Sequence, residues 1–207
     1  MAEATLALGV LASGEGTNLQ ALIDRVHGRD GIRIAAVGSD RPDAPALERA
    51  RRAGIETRVF RAAEHRSRAE RDAAIASWLE ERCVRLVVLA GYMQLLDAGF
   101  LQRFPQRVIN LHPALLPAFP GLRAIERALE HGVRVIGASV FFVDSGVDTG
   151  PLILQRAIDL PQDADADRAR ELLAPVEHDL LVEAVRLIAA GAVSIDPRNP
   201  RRVVIAR

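Results

Sequence analysis

The stretch "TLALGVLASGEGTNLQALIDRVHG", residues 5–28, decides the fold. Its first part, "TLALGVLAS" (5–13), is an apolar run of the length of a buried strand. Its last part, "TNLQALIDRVHG" (17–28), carries Leu19, Leu22, Ile23 and Val26 at helical spacing. Between them lies "SGEGTN" (13–18), where glycines let the backbone turn sharply. A buried strand that passes through a short glycine turn into an amphipathic helix is the opening of a βαβ unit, and the chain repeats it.

"IRIAAVGSD" (32–40) is the next strand, "APALERARRAG" (44–54) a helix closed by Gly54, and "TRVF" (57–60) a short strand. "RSRAERDAAIASWLEER" (66–82) reads as a helix and "VRLVVLAG" (84–91) as a buried strand; a short helix near 97–103 precedes the strand "QRVINLH" (106–112). This alternation implies an α/β fold, a mostly parallel twisted sheet with helices on both faces. The pattern then changes. After a helix at 122–132, "VIGASVFFVD" (135–144) and "PLILQRAIDL" (151–160) are strands joined only by "SGVDTG", which predicts an antiparallel pair in the C-terminal half. A long helix follows from about 165 to 190, with Pro175 expected to kink it or to mark a second start, and the tail "VSIDPRNPRRVVIAR" adds a short strand. Without repeat, linker or low-complexity tract, residues 1–207 read as a single domain.

Composition narrows the function. Lys+Arg and Asp+Glu are both 27, and hydrophobic residues are 49%. A balanced charge argues against a general nucleic-acid binder but leaves room for a local anion site. No Lys occurs, so any phosphate is held by Arg, hydroxyls or backbone N–H groups, and lysine chemistry is excluded. The one cysteine, Cys83, allows no internal disulfide and reads as a small buried hydrophobe. The start "MAEATLALGVLASG" has no basic region before its apolar run, and no apolar stretch reaches the ~18 residues of a membrane span, so a cytoplasmic, soluble protein is expected.

In parallel sheets ligands collect at the carboxyl ends of the strands. Three segments fall there. The "SGEGTN" turn admits three readings: a capped βα turn with Thr17 at the helix start, a dinucleotide site with Asp40 ending the second strand, or a phosphate site at a helix N-terminus, which is preferred. "VINLHPALLPAFPGL" (108–122) puts Asn110 and His112 on one side of a strand end, since strand side chains alternate. Imidazole exchanges protons near neutral pH, and a carboxamide can donate to a developing oxyanion. "VDSGVDTGP" (143–151) holds Asp144 and Asp148. Loop aspartates commonly form turns, but one of them could reach His112, and a carboxylate beside an imidazole favours the imidazolium. "GYMQLL" (91–96) places Met93, Leu95 and Leu96 near the same edge, either as core or as an apolar wall for a flat ligand. His27, His65, His131 and His178 lack metal-ligand spacing, so no metal is expected.

Taken together, "LASGEGTNLQALID", "VVLAGYMQLL", "VINLHPALLPAFPGL" and "GASVFFVDSGVDTGPLILQ" resemble the phosphoribosylglycinamide formyltransferase family of the formyltransferase superfamily, over residues 5 to about 190. The resemblance implies a Rossmann-like formyltransferase fold and an enzyme of purine biosynthesis that moves a formyl group from 10-formyltetrahydrofolate to the amine of glycinamide ribonucleotide. It implies catalytic roles for Asn110, His112 and Asp148. It assigns Gly16, Thr17, Asn18, Leu19, Gln20 and Glu177 to the phosphorylated substrate. Arg68, Met93, Gln94, Leu95, Leu96, Asn110, Asp144, Ser145, Gly146, Val147 and Asp148 fall on the folate side. It further implies small-molecule partners only, without nucleic acid or membrane, and a monomer or homodimer. Two positions depart from the family pattern: Arg123, expected to supply a charged donor, and Ala174, where a glutamine is common. Rival readings are a formyltetrahydrofolate hydrolase or another formyltransferase of the superfamily, a folate-binding module without turnover, and a dinucleotide-dependent oxidoreductase.

Overall fold

The computed structural model describes residues 5–206; the expectation that no basic leader precedes the first strand falls partly on residues 1–4, outside the described ones. Strands and helices alternate as β1 (Leu6–Leu11), α1 (Thr17–Arg25), β2 (Ile32–Ser39), α2 (Pro45–Arg52), β3 (Glu56–Val59), α3 (Arg68–Glu81), β4 (Leu86–Leu89), α4 (Ala98–Arg103) and β5 (Val108–His112). Then come α5 (Ala124–Glu130), β6 (Val135–Phe142), β7 (Leu152–Asp159), α6 (Ala166–Ala189), β8 (Val193–Ile195) and β9 (Val203–Ile205). A seven-stranded sheet runs β3-β2-β1-β4-β5-β6-β7, and β8-β9 form a separate pair. β1 pairs parallel to β2 and to β4, β2 pairs parallel to β3, and β6–β7 are antiparallel. The α/β class and the late antiparallel pair therefore match the sequence reading. By contact density the chain divides into two compact units, residues 1–109 and 110–207.

In the first unit, β1 and β4 are buried almost throughout because their runs of Leu, Val and Ala are apolar on both faces, as strands covered on both sides require. Leu19 and Leu22 of α1, Leu47 of α2, and Ile75, Trp78 and Leu79 of α3 complete this core, with Phe60 and Trp78 in an edge-to-face contact of 5.4 Å. Asp97 starts α4 by accepting from the Phe100 N–H at 2.8 Å, and Ser67 starts α3 by accepting from the Glu70 N–H at 3.1 Å.

Cys83 corrects the sequence reading. It is exposed, with φ of 56°, and its N–H donates to Glu80 O at 2.8 Å. It occupies the left-handed position just past α3, where the chain leaves the helix and the side chain turns outward.

In the second unit a buried serine organises the proline-rich loop after β5. Ser139 of β6, 0% exposed, donates to Ala114 O at 2.6 Å and accepts from the Leu116 N–H at 3.1 Å and from Gln155 Nε2 at 2.9 Å. Gln155 of β7 also donates to Leu116 O at 2.9 Å. Each polar group buried here has its partner, and the loop backbone is fixed by them. Pro175 does not divide α6, which runs unbroken for 24 residues. One missing N–H bond is outweighed by a buried face containing Leu173, Leu180, Leu181 and Val185. The tail hairpin β8–β9 is clipped to the segment that follows residue 148: Arg201 Nη2 donates to Thr149 O at 2.9 Å, and Arg202 bridges Leu152 of β7.

Candidate active site

Asn110 and His112 sit at the end of β5, two residues apart and hence on one side of the strand. His112 is 6% exposed. Its Nδ1 lies 3.3 Å from Asp148 Oδ2, and its Nε2 lies 2.9 Å from Phe119 O. Both partners are oxygens able to accept a hydrogen bond, a carboxylate on one side of the ring and a carbonyl on the other. Asp148 Oδ2 also accepts from the Gly121 N–H at 2.7 Å. One carboxylate oxygen thus links the β6–β7 joint, the imidazole and the loop after β5.

The loop carrying Phe119 is itself held. The Phe119 ring meets His131 edge-to-face at 5.8 Å, and the Arg127 guanidinium lies 6.0 Å from the ring centre. Arg127 Nη1 also donates to Pro120 O. Phe119 and Asp148 both have φ of 53°, outside the usual range for residues with a Cβ, so the partners around them maintain the backbone at both points.

The two loop aspartates separate cleanly. Asp144 forms a turn, accepting from the Gly146 N–H at 2.9 Å and from Thr149 Oγ1 at 2.7 Å. Asp148 is the one that meets the histidine. Ser145 and Gly146 are exposed and Val147 is 47% exposed. Glu177 and Ala174 are half-buried on α6. The charged donor expected from Arg123 is directed to Glu130 Oε1 at 3.2 Å.

The glycine turn lies in the first unit. Gly16, with φ of 73°, is the residue before α1, and no side chain caps the helix there; the capping expected of Thr17 is absent because Thr17 is already its first helical residue. A Cβ on Gly16 would lie 2.7 Å from Ala46 Cα, so the turn packs closer to α2 than a side chain permits. Leu19 is fully buried, which leaves its backbone as the part able to meet a ligand. Gln20 is occupied: its Nε2 donates to Asp24 Oδ1 at 2.8 Å and its Oε1 accepts from Arg49 Nη1 at 3.3 Å. Arg49 Nε also donates to Glu15 O at 2.8 Å. This arginine of α2 was missed because it reads as an ordinary exposed helix charge.

Met93 and Leu95 are 58% and 56% exposed, which rules out the core reading of both; Leu96 and Gln94 are half-buried, and Arg68 is exposed at the start of α3. Asp40, the dinucleotide candidate, accepts from Gln94 Nε2 at 3.0 Å. Among the described residues no helix is long and apolar enough to cross a membrane, and no group of three or more His, Cys, Asp or Glu could hold a metal ion.

Comparison with known proteins gives a consistent result. Residues 7–185 match the formyl transferase family. Phosphoribosylglycinamide formyltransferase of Mycobacterium tuberculosis (strain ATCC 25618 / H37Rv) is 41% identical over 192 residues, which covers 93% of this chain and 89% of that one. The trifunctional purine biosynthetic protein adenosine-3 of Homo sapiens is 40% identical over 189 residues; the match covers 91% of this chain and 19% of the human protein, so this chain spans about a fifth of that relative's length. The crystal structure of glycinamide ribonucleotide transformylase 1 from Symbiobacterium toebii superposes with a TM-score of 0.94 at 48% identity, covering 98% of this chain and 95% of that one.

Proposed function

This chain belongs to the formyl transferase family, and we propose that it transfers the formyl group of 10-formyltetrahydrofolate to the amine of 5-phosphoribosylglycinamide, a step of purine biosynthesis, with residues 1–207 acting as one formyltransferase domain. The observation that carries the reading is the contact of His112 Nδ1 with Asp148 Oδ2 at 3.3 Å, beside Asn110 on the same strand end. In this reaction the substrate amine forms a C–N bond to the formyl carbon, the bond to the folate nitrogen breaks, and one proton passes from the amine to that nitrogen. Negative charge gathers on the formyl oxygen in between.

Asn110 and His112 supply the donors for that oxygen, each of a kind whose loss costs about 10²–10³ in rate. Asp148, against the ring at Nδ1, orients it and assists the proton's passage. His112 Nε2 now donates to Phe119 O, so the oxyanion takes over a hydrogen bond that the loop carbonyl holds in this structure. The first N–H groups of α1, following Gly16, suit the substrate phosphate, since the chain has no lysine to do so. Thr17, Asn18, Leu19 and Gln20 belong to that loop, and Glu177 to the same substrate. The exposed Met93 and Leu95 fit a flat aromatic ring system, with Leu96, Arg68 and the loop 144–148 on the folate side.

The test is an assay of purified protein with both substrates, following the folate absorbance. Tetrahydrofolate is expected to appear only when the amine substrate is present. Release of formate and tetrahydrofolate without it would identify a hydrolase, and folate binding without turnover a binding module.

A further inference from the structure

Two titratable side chains buried in the first unit have no part in the chemistry above. Arg71 and Asp72, adjacent on α3, are 2% and 0% exposed. Arg71 Nη2 and Asp72 Oδ1 are 2.7 Å apart, and Arg71 Nε donates to the same oxygen at 2.8 Å. Burial pushes the Asp72 carboxyl above the usual carboxylate range, opposed by the hydrogen bonds from Arg71 and from the Asp97 N–H. A buried pair of this kind adds little stability over apolar residues of similar volume, so stability alone does not account for it.

The remaining contacts of the pair converge on one segment. Arg71 Nη1 donates to Gln94 Oε1 at 3.0 Å and Nη2 to Leu95 O at 3.2 Å, while Asp72 Oδ2 accepts from the Asp97 N–H at 2.8 Å. Gln94 Nε2 donates onward to Asp40 Oδ2 at 3.0 Å, and the Met93 N–H donates to Ser13 Oγ at 2.9 Å. Residues 93–97 therefore form no helix or strand yet are fastened at successive points along their length. Between the fastenings, Met93 and Leu95 point into solvent. Left free, such a loop would fold its large apolar side chains inward.

We propose that Arg71 and Asp72 are positioning residues: they fix the backbone of residues 93–97 so that Met93 and Leu95 stand ready as an apolar wall for the flat ring of the formyl donor, and Gln94 is a strut in this assembly rather than a ligand contact. The inference rests on the assignment of residues 93–96 to the folate side. A guanidinium suits the role because its rigid planar fork spans three separated acceptors from Nε, Nη1 and Nη2, whereas an ammonium donates from a single point.

The test compares wild type with the double variant Arg71→Met/Asp72→Leu, with Arg71→Lys and with Gln94→Ala. It measures thermal melting, the KM of each substrate, and the Kd of tetrahydrofolate by calorimetry. The double variant removes both charges together, which buried pairs commonly tolerate. It is expected to stay folded, with KM for the folate donor and Kd for tetrahydrofolate raised about 10-fold and KM for the phosphorylated amine within about 2-fold, given that misplacement by about 1 Å can cost on the order of 10²-fold. Arg71→Lys is expected to follow it, and Gln94→Ala to shift the same two constants by a smaller factor. A folded double variant with wild-type folate constants overturns the proposal. If the double variant does not fold, Gln94→Ala decides, and unchanged folate constants there overturn it. A wild-type protein that does not bind tetrahydrofolate defeats the functional reading and this inference together, whereas loss confined to the variants' stability defeats the inference alone.

Discussion

His112 is held from both sides, by a carboxylate on Nδ1 and a carbonyl on Nε2. Asp148 occupies a left-handed conformation that asparagine tolerates at least as well as aspartate. Asp148→Asn therefore keeps the backbone and an acceptor for the Gly121 N–H while removing the charge. Its kcat is expected to fall about 10²-fold or more, with little change in melting temperature. Asp144→Ala removes only turn bonds and is expected to cost less than about 10-fold by the same steady-state assay. Spacing alone did not say which aspartate meets His112, because both lie in one glycine-rich joint and the choice depends on where the loop folds; only the family resemblance pointed to Asp148. The placement of Asn110 and His112 together at a strand end was legible, since the apolar run before them marks the strand and alternation puts both on one side. Arg71 and Asp72 were not, because charges on an amphipathic helix ordinarily face water and nothing in the helix's own pattern says otherwise.

The order of elements was readable because each strand is a short apolar run bounded by turns, and each helix carries its own apolar spacing. Of the two expectations for Pro175, the second helix start is not seen, since α6 runs through it. An error arose where one residue type was judged alone, as Cys83 shows: the end of α3 turned the cysteine outward. That same helix end ties α3 to β3. Arg82 Nε donates to Glu56 Oε2 at 2.8 Å, Nη2 pairs with Glu56 Oε1, and the guanidinium lies over the Trp78 ring at 4.8 Å. The hydrogen bond from Arg82 holds the Glu56 carboxyl below the usual carboxylate range. A lowered value in the folded state stabilises above the unfolded value, about 4.3, and that contribution disappears as pH falls through the folded value. Glu56→Gln is thus expected to lower the melting temperature slightly at pH 7, the gap from wild type closing in acid and shrinking in 1 M salt because the pair is exposed. Thermal melts across pH check this.

For the molecule as a whole, zero net charge with arginine as its only long basic side chain means that attraction for anionic substrates is local rather than a field over the surface. The end of the chain has a less obvious bearing on the chemistry. The family match stops at residue 185, and β8–β9 lie beyond it. Yet Arg201 grips the carbonyl of Thr149, the residue next to Asp148. The hairpin behaves as a splint strapped along a joint it never enters. Deleting residues 193–207 is expected to depress kcat several-fold by letting the carboxylate wander from the imidazole, while leaving the affinity of the glycine turn for phosphate intact. A segment lying past the edge of the family model would then prove to be a tensioner for the joint that carries Asp148.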